Sequence, residues 1–361
     1  MILAFDAKRL FNNFTGLGNY SRTLVRNLKT FYPEHEYHLF SPKIVKNAET
    51  EYFLDAGKFT VHTSNTPLWR TIGMSREINT LAPDIFHGLS HELPLGLRPE
   101  IQTVVTFHDL IYELYPTQFG VWDRYLYAFK YRYAAKTADM IVCISQSTKE
   151  DLLDLYHVPE NKIQVVYQSC HEIFQTFSPD SGKKDFYLYV GSLIERKNIK
   201  NAIRAYAMLD IAYQKPFVIV GSGPKKYVHE IKDLISRFGL SAHFEFISHV
   251  DNEQLINLYD RSFLLCYPSV YEGFGIPVIE ALFRKKPVIT SDLSSLPEAA
   301  GPGAMLINPY KPEEIRDAFM KLNNEVLYAK YAEEGYRYAK ANFSSRATVE
   351  NLMNLYKKML A

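Results

Sequence analysis

Short apolar runs alternate with longer amphipathic stretches along the whole chain. The runs that read as strands are Ile2–Asp6, Tyr37–Phe40, Phe59–His62, Ile85–Gly88, Gln102–Phe107, Met140–Ile144 and Ile163–Tyr167. The pattern then repeats with Phe186–Val190, Phe217–Val220, Phe244–Ile247, Phe263–Tyr267, Val288–Thr290 and Ala304–Ile307. Helical periods fall between them, as over Asn198–Leu209, Lys226–Phe238, Glu253–Asp260 and Pro312–Leu322. This alternation predicts parallel sheets covered on both faces by helices, an α/β class. The cleanest break is the polar, turn-rich stretch Ser178–Asp185. It predicts two α/β domains, 1–177 and 178–342, for which 361 residues are comfortable. A last helical run covers about Ser345–Leu360.

Composition narrows the partners. The formal net charge is +1, so there is no bulk electrostatic case for nucleic acid. Cys143, Cys170 and Cys266 are scattered, two of them in apolar strand-like runs, and read as buried thiols. No metal spacing or disulfide framework is present, which suits a reducing cytoplasm. Met1–Phe5 is too short for the apolar part of a signal peptide. No stretch approaches the ~20 apolar residues that span a bilayer. The stretch Trp122–Lys136 interleaves aromatic with basic side chains. It reads either as an ordinary cover for a sheet or as a helix in peripheral contact with the inner face of a membrane.

The densest chemistry lies in residues 269–282, Ser-Val-Tyr-Glu-Gly-Phe-Gly-Ile-Pro-Val-Ile-Glu-Ala-Leu. A buried strand precedes it, and Pro277 fits the first position of a helix. The free N–H groups and the positive dipole end of such a helix make an anion site. Gly273 and Gly275 let the backbone approach a ligand closely. Glu272 beside an anion site is costly unless it binds something else on the same ligand, such as hydroxyls. Phosphate plus polyol means a nucleotide sugar. An ordinary turn with a capping acid would need one carboxylate and no double glycine.

Other strand exits carry further candidates. Gly191 ends one strand, and Arg196-Lys197-Asn198 follows; alone it could be a solvated basic turn. Gly16 and Gly18 head the first helix, where they read as a ligand-binding or merely flexible loop. His108, followed by Asp109, ends another strand, although a lone histidine is more often structural. Gly221-Ser-Gly223-Pro224 lacks the third glycine of a dinucleotide fingerprint, with Lys226 in its place.

The Glu272–Glu280 segment resembles the signature of retaining glycosyltransferases of family 4, the glycosyl transferases group 1. The resemblance implies the GT-B fold, two facing Rossmann-like domains with the donor site in the cleft between them. It implies that residues 343–361 cross back to the first domain. Glu272 is then expected to contact the donor sugar, Glu280 the nucleotide ribose, and Arg196 with Lys197 the donor diphosphate. The N–H groups of Gly273, Phe274, Gly275 and Ile276 would hold sugar and phosphate oxygens. Gly16 and Gly18 would meet donor phosphate and acceptor, and His108 would lie beside the transferred sugar. Gly191, Gly221, His249 and Val250 are expected near the nucleotide. One departure stands out: Phe283-Arg-Lys-Lys286 replaces the small residue and glycine usual after this helix.

No Asp-x-Asp occurs, so the resemblance implies a metal-independent transfer with no cofactor. The Arg-Lys-Asn and Phe-His-Asp segments look most like mannosyltransferase-type members, which makes GDP-mannose the first donor expected. The expected acceptor is a glycan or lipid-linked glycan, as in polysaccharide or lipopolysaccharide biosynthesis. It would be read by loops around 8–20, 64–75 and 88–98. A sugar-nucleotide 2-epimerase of the same fold and a non-catalytic nucleotide-sugar-binding protein remain alternatives.

Overall fold

The computed structural model describes residues 1–64, 66–116, 120–176 and 185–361. Thirteen strands appear among them, one for each predicted run. In the first half they are β1 (Ile2–Asp6), β2 (Glu36–Phe40), β3 (Thr60–His62), β4 (Ile85–Gly88), β5 (Gln102–Phe107), β6 (Met140–Cys143) and β7 (Ile163–Val165). The second half supplies β8 (Phe186–Val190), β9 (Phe217–Val220), β10 (Phe244–Ile247), β11 (Ser262–Tyr267), β12 (Val288–Ser291) and β13 (Ala304–Ile307).

The chain forms two compact units, residues 1–169 with 345–361, and residues 170–344. The polar stretch expected at the boundary lies outside the described residues except for Asp185. Residues 170–176, read from sequence as the end of the first domain, group with the second unit. There Phe174 of the helix Glu172–Gln175 packs edge-on against Tyr259, centroids 6.0 Å apart.

The first unit is built on a parallel sheet in the order β3-β2-β1-β4-β5-β6-β7. The final helix, Ser345–Leu360, buries Val349, Leu352, Met353 and Tyr356 in it. Its Tyr356 hydroxyl lies 2.5 Å from Nδ1 of His87 on β4. The second unit has a parallel sheet ordered β10-β9-β8-β11-β12-β13. Its core is dominated by rings, with Tyr187 packed on Phe319 at 4.5 Å and Phe217 on Phe244 at 5.3 Å.

In both sheets the strand order reverses beside the first strand, between β1 and β4 and between β8 and β11. Neighbouring loops diverge there, which opens a crevice at the carboxyl ends of the strands. No helix among the described residues is long and apolar enough to cross a membrane.

Candidate functional site

The crevice between β8 and β11 in the second unit gathers most of the predicted donor residues. After β8 the chain enters a tight turn, Glu195–Lys197, closed by Asn198 at φ 57°. Asparagine tolerates that left-handed geometry. Its amide donates to the carbonyls of Pro268, at 3.1 Å, and Pro309, at 2.7 Å, so the turn is pinned to the segment after β11.

This pinning brings three charges together. Lys197 Nζ is 2.6 Å from Oε1 of Glu272, and Arg196 Nη1 is 3.3 Å from Oε2. Arg196 also donates to the Tyr271 carbonyl. Glu272 Oε1 accepts from the Ser269 hydroxyl at 2.5 Å and from the Tyr267 hydroxyl at 3.2 Å, while Lys197 donates to the Tyr267 hydroxyl at 2.5 Å. Burial acts to raise the Glu272 pKa, but Lys197 and Arg196 outweigh it and hold the carboxyl below its usual range. The loop itself is tied by Ser295, which donates to the carbonyls of Glu272 and Phe274, and by Ser294, which accepts from Glu272 N–H.

Glu280 lies buried on the helix Ile276–Phe283. Its Oε2 accepts from Tyr259 at 2.8 Å, yet burial dominates and pushes its pKa up to about 8. The two glutamates therefore have opposite character: one is a fixed anion, the other a protonated carboxyl at neutral pH. The helix opens at Gly275, whose φ of 118° suits glycine. Phe274 is turned inward against Phe343, leaving only its backbone for a ligand. At the adjoining strand ends Gly221 passes so close to Gly191 that an added Cβ would sit 1.9 Å from the Gly191 carbonyl oxygen. Next to it runs an open groove of about 480 Å³ lined by Leu193, Gly221, Lys225, His229, Phe246 and Ser248. His249 follows Ser248 and is exposed, and Val250 is half-buried.

In the first unit His108 sits at the carboxyl end of β5, buried beneath Tyr20. Burial lowers its pKa to about 4, so the ring is neutral, and Nε2 donates to the Leu89 carbonyl at 2.9 Å. Gly18 lets the helix Gly16–Phe31 start against the Asn13 carbonyl, where an added Cβ would clash at 1.6 Å. Asn13 Oδ1 accepts from the Gly18 N–H. The crevice between β1 and β4 holds an ion-pair network that sequence reasoning did not foresee. Arg70 bridges Asp6 and Glu92, each at 2.7 Å, and Lys130 reaches Glu92 at 2.9 Å. Burial works to raise Glu92, but Arg70 and Lys130 bring it down to about 2.

Two family models divide the chain between them. Glycosyltransferase Family 4 matches residues 14–169, and Glycosyl transferases group 1 matches residues 172–338. The chain belongs to glycosyltransferase family 4. Among its relatives, O-antigen chain mannosyltransferase B of Escherichia coli is 25% identical over 86% of this chain and 87% of its own length. O-antigen chain mannosyltransferase RfbU of Salmonella typhimurium is 28% identical over 65% of this chain and 67% of its own. Among solved structures, Anabaena Alr3699/HepE in complex with UDP-glucose superposes with a TM-score of 0.74 at 17% identity, covering 99% of both chains. At that identity the likeness speaks for the fold, which is GT-B.

In this glycosyltransferase, Arg196, Lys197, Glu272 and the loop Gly273–Ile276 meet at one switch point, with Glu280 in the helix that follows. The sequence reading missed Tyr267, Ser269 and Tyr259, which hold the two glutamates. Only Ser269 carried a signal, as a hydroxyl placed just before the acidic loop.

Proposed function

We propose that the enzyme is a retaining, metal-independent glycosyltransferase that moves mannose from GDP-mannose to a hydroxyl of a glycan or lipid-linked glycan acceptor. The observation that carries this reading is the Lys197–Glu272–Arg196 cluster at the β8/β11 crevice. Departure of a nucleoside diphosphate develops negative charge, and two fixed cations in a buried crevice stabilise it without reorganisation. Because protein cations supply that charge, the scheme calls for no divalent ion and no cofactor. Glu272 Oε2 keeps lone pairs for sugar hydroxyls. Glu280, protonated, can donate to or accept from the ribose, and the groove beside Phe246 has room for the base.

The C1–oxygen bond to the diphosphate breaks as the acceptor oxygen bonds C1 from the same face. The acceptor proton passes to a phosphate oxygen of the leaving group. His108, neutral at working pH, serves as a sugar contact and not as a base. Asp6, Arg70 and Glu92 offer charged partners to the acceptor. Support for mannose comes from the relatives, which are mannosyltransferases of O-antigen chains. Support for a nucleotide sugar comes from the Anabaena neighbour, which holds UDP-glucose.

The test is thermal melting with GDP-mannose, UDP-glucose, UDP-N-acetylglucosamine, GDP and UDP, without added metal. A ligand at 100 times its Kd adds ~2.7 kcal/mol to stability. The expected result is a shift with the guanosine series that Lys197→Ala abolishes, while the same substitution lowers kcat by ~10²–10³. A shift confined to the uridine series would overturn the donor, and one that needs a divalent ion would overturn metal independence. Nucleotide release without acceptor dependence would count against transfer.

A further inference from the structure

The helix Val121–Thr137 has two apolar faces. One, formed by Tyr127, Ala128, Tyr131, Ala134 and Ala135, packs into the core with Phe107 and Tyr112. The other is made of Trp122, Tyr125, Leu126 and Phe129, spaced by three and four residues and so aligned along one side of the helix. It faces water. Trp122 is 86% exposed, Tyr125 69%, Phe129 63% and Leu126 50%. Single exposed apolar side chains are ordinary, whereas a contiguous stripe of large ones marks an interaction surface.

The charges around the stripe choose its partner. The helix carries Arg124, Lys130, Arg132 and Lys136 against one acid, Asp123. Lys130 and Arg132 are engaged by Glu92 and Glu113. Arg124 and Lys136 form no ion pair among the described residues. Arg124 and Arg132 also line a groove of about 220 Å³ beside the stripe, together with Tyr112, Glu113, Val121 and Tyr125. Trp and Tyr flanked by cations is the chemistry of a bilayer interface, where rings sit at headgroup level and cations meet lipid phosphates. A second copy would set the same excess of cations face to face in a two-fold pair.

We infer that this helix docks the enzyme on an anionic lipid bilayer, with Trp122, Tyr125, Leu126 and Phe129 entering the headgroup boundary. The inference is independent of the donor reading, because nucleotide-dependent melting does not involve this face.

Trp122 supplies its own reporter. The chain has two tryptophans, and the other, Trp69, is 4% exposed and donates to Glu77 at 2.7 Å. With phosphatidylcholine vesicles containing phosphatidylglycerol, Trp122 emission should shift to the blue, lipids brominated near the headgroup should quench it, and the protein should co-sediment. Trp122→Phe should abolish the spectral change and keep sedimentation. The triple variant Trp122→Ser, Tyr125→Ser, Leu126→Ser should cut partitioning by at least about tenfold, with its melting temperature and nucleotide shift retained as proof of folding. Arg124→Glu with Lys136→Glu should abolish the preference for phosphatidylglycerol. Absence of vesicle binding, or binding that survives the folded triple variant, would overturn the inference. So would a dimer in sedimentation velocity that the triple variant dissolves while vesicles bind neither protein.

Discussion

Glu272 and Glu280 are both buried, and burial acts to raise both, yet only Glu272 faces cations. The difference can be measured through pH. Glu280 has a folded pKa near 8 against an ordinary value of 4.5, so the native state retains a proton that the unfolded chain has released. Its contribution to stability is fully present below about pH 4.5 and is lost as pH rises towards 8. Glu280→Gln removes the titration while keeping the shape. The stability of that variant, followed by thermal melting, should equal the parent's near pH 4.5 and exceed it progressively up to pH 8, the gap reaching at most about 5 kcal/mol at ~1.4 kcal/mol per pKa unit. Parallel melting curves for the two proteins across this range would refute the buried-carboxyl account. For Glu272 the supporting hydroxyl is the informative target. Ser269→Ala removes the 2.5 Å donor to Oε1, so the Glu272 pKa should rise. The acidic limb of the kcat profile should then move to higher pH, with kcat about tenfold lower and KM little changed. A uniform loss at every pH would make Ser269 merely structural.

The helix Ile276–Phe283 shows how an unusual sequence ends an ordinary element. Where the family usually has a small residue and a glycine, this chain has Arg284, Lys285 and Lys286. Lys285 takes the left-handed position at φ 52°, which glycine would fill without strain. Arg284 and Lys286 offset that cost. Arg284 is buried and grips Asp260 with Nε at 2.6 Å and Nη2 at 2.5 Å, and it also donates to the Thr176 carbonyl. Lys286 donates to the Asp260 carbonyl at 2.6 Å. Asp260 belongs to the helix Asn252–Arg261, so the fork fixes one helix against another under the Glu280 site. Breaking a buried pair on one side strands the other charge and costs about 3–5 kcal/mol. Arg284→Ala should lose that much in denaturant unfolding, whereas Arg284→Met with Asp260→Leu should recover most of it. If the double variant is as unstable as the single one, packing and not charge holds this junction. The sequence marked the departure but not the remedy, because Asp260 is remote along the chain and becomes a neighbour only after folding.

At the scale of the molecule, the strands were legible because each is a short apolar run between polar segments, and all thirteen fall where that pattern puts them to within a residue or two. The donor candidates were legible because strand exit, glycine and charge are contiguous in sequence. The Asp6–Arg70–Glu92–Lys130 network was not, since four separate segments supply it and only the strand order brings them to one crevice. Residues 170–176 group with the second unit, where the short helix Glu172–Gln175 sets Phe174 against Tyr259, a neighbour remote in sequence that the polar pattern could not reveal. This division into units has a consequence for ligand binding. Apart from Gly16 and Gly18, the residues proposed for the diphosphate, ribose and base all lie within 170–344, each unit having its own sheet and core. A nucleoside diphosphate at saturation should therefore slow hydrogen exchange around residues 191–198, 219–223, 246–248 and 271–280. Opening there must first release the ligand, and at 100 times Kd that adds ~2.7 kcal/mol to every opening that breaks the site. Strands β1, β4 and β5 of the first unit should exchange as before. Lys197→Ala should erase the effect without changing exchange in the unliganded first unit. Protection spread evenly over both sheets would mean that the nucleotide stabilises the chain as one cooperative body, and the assignment of its site to the second unit alone would then fail.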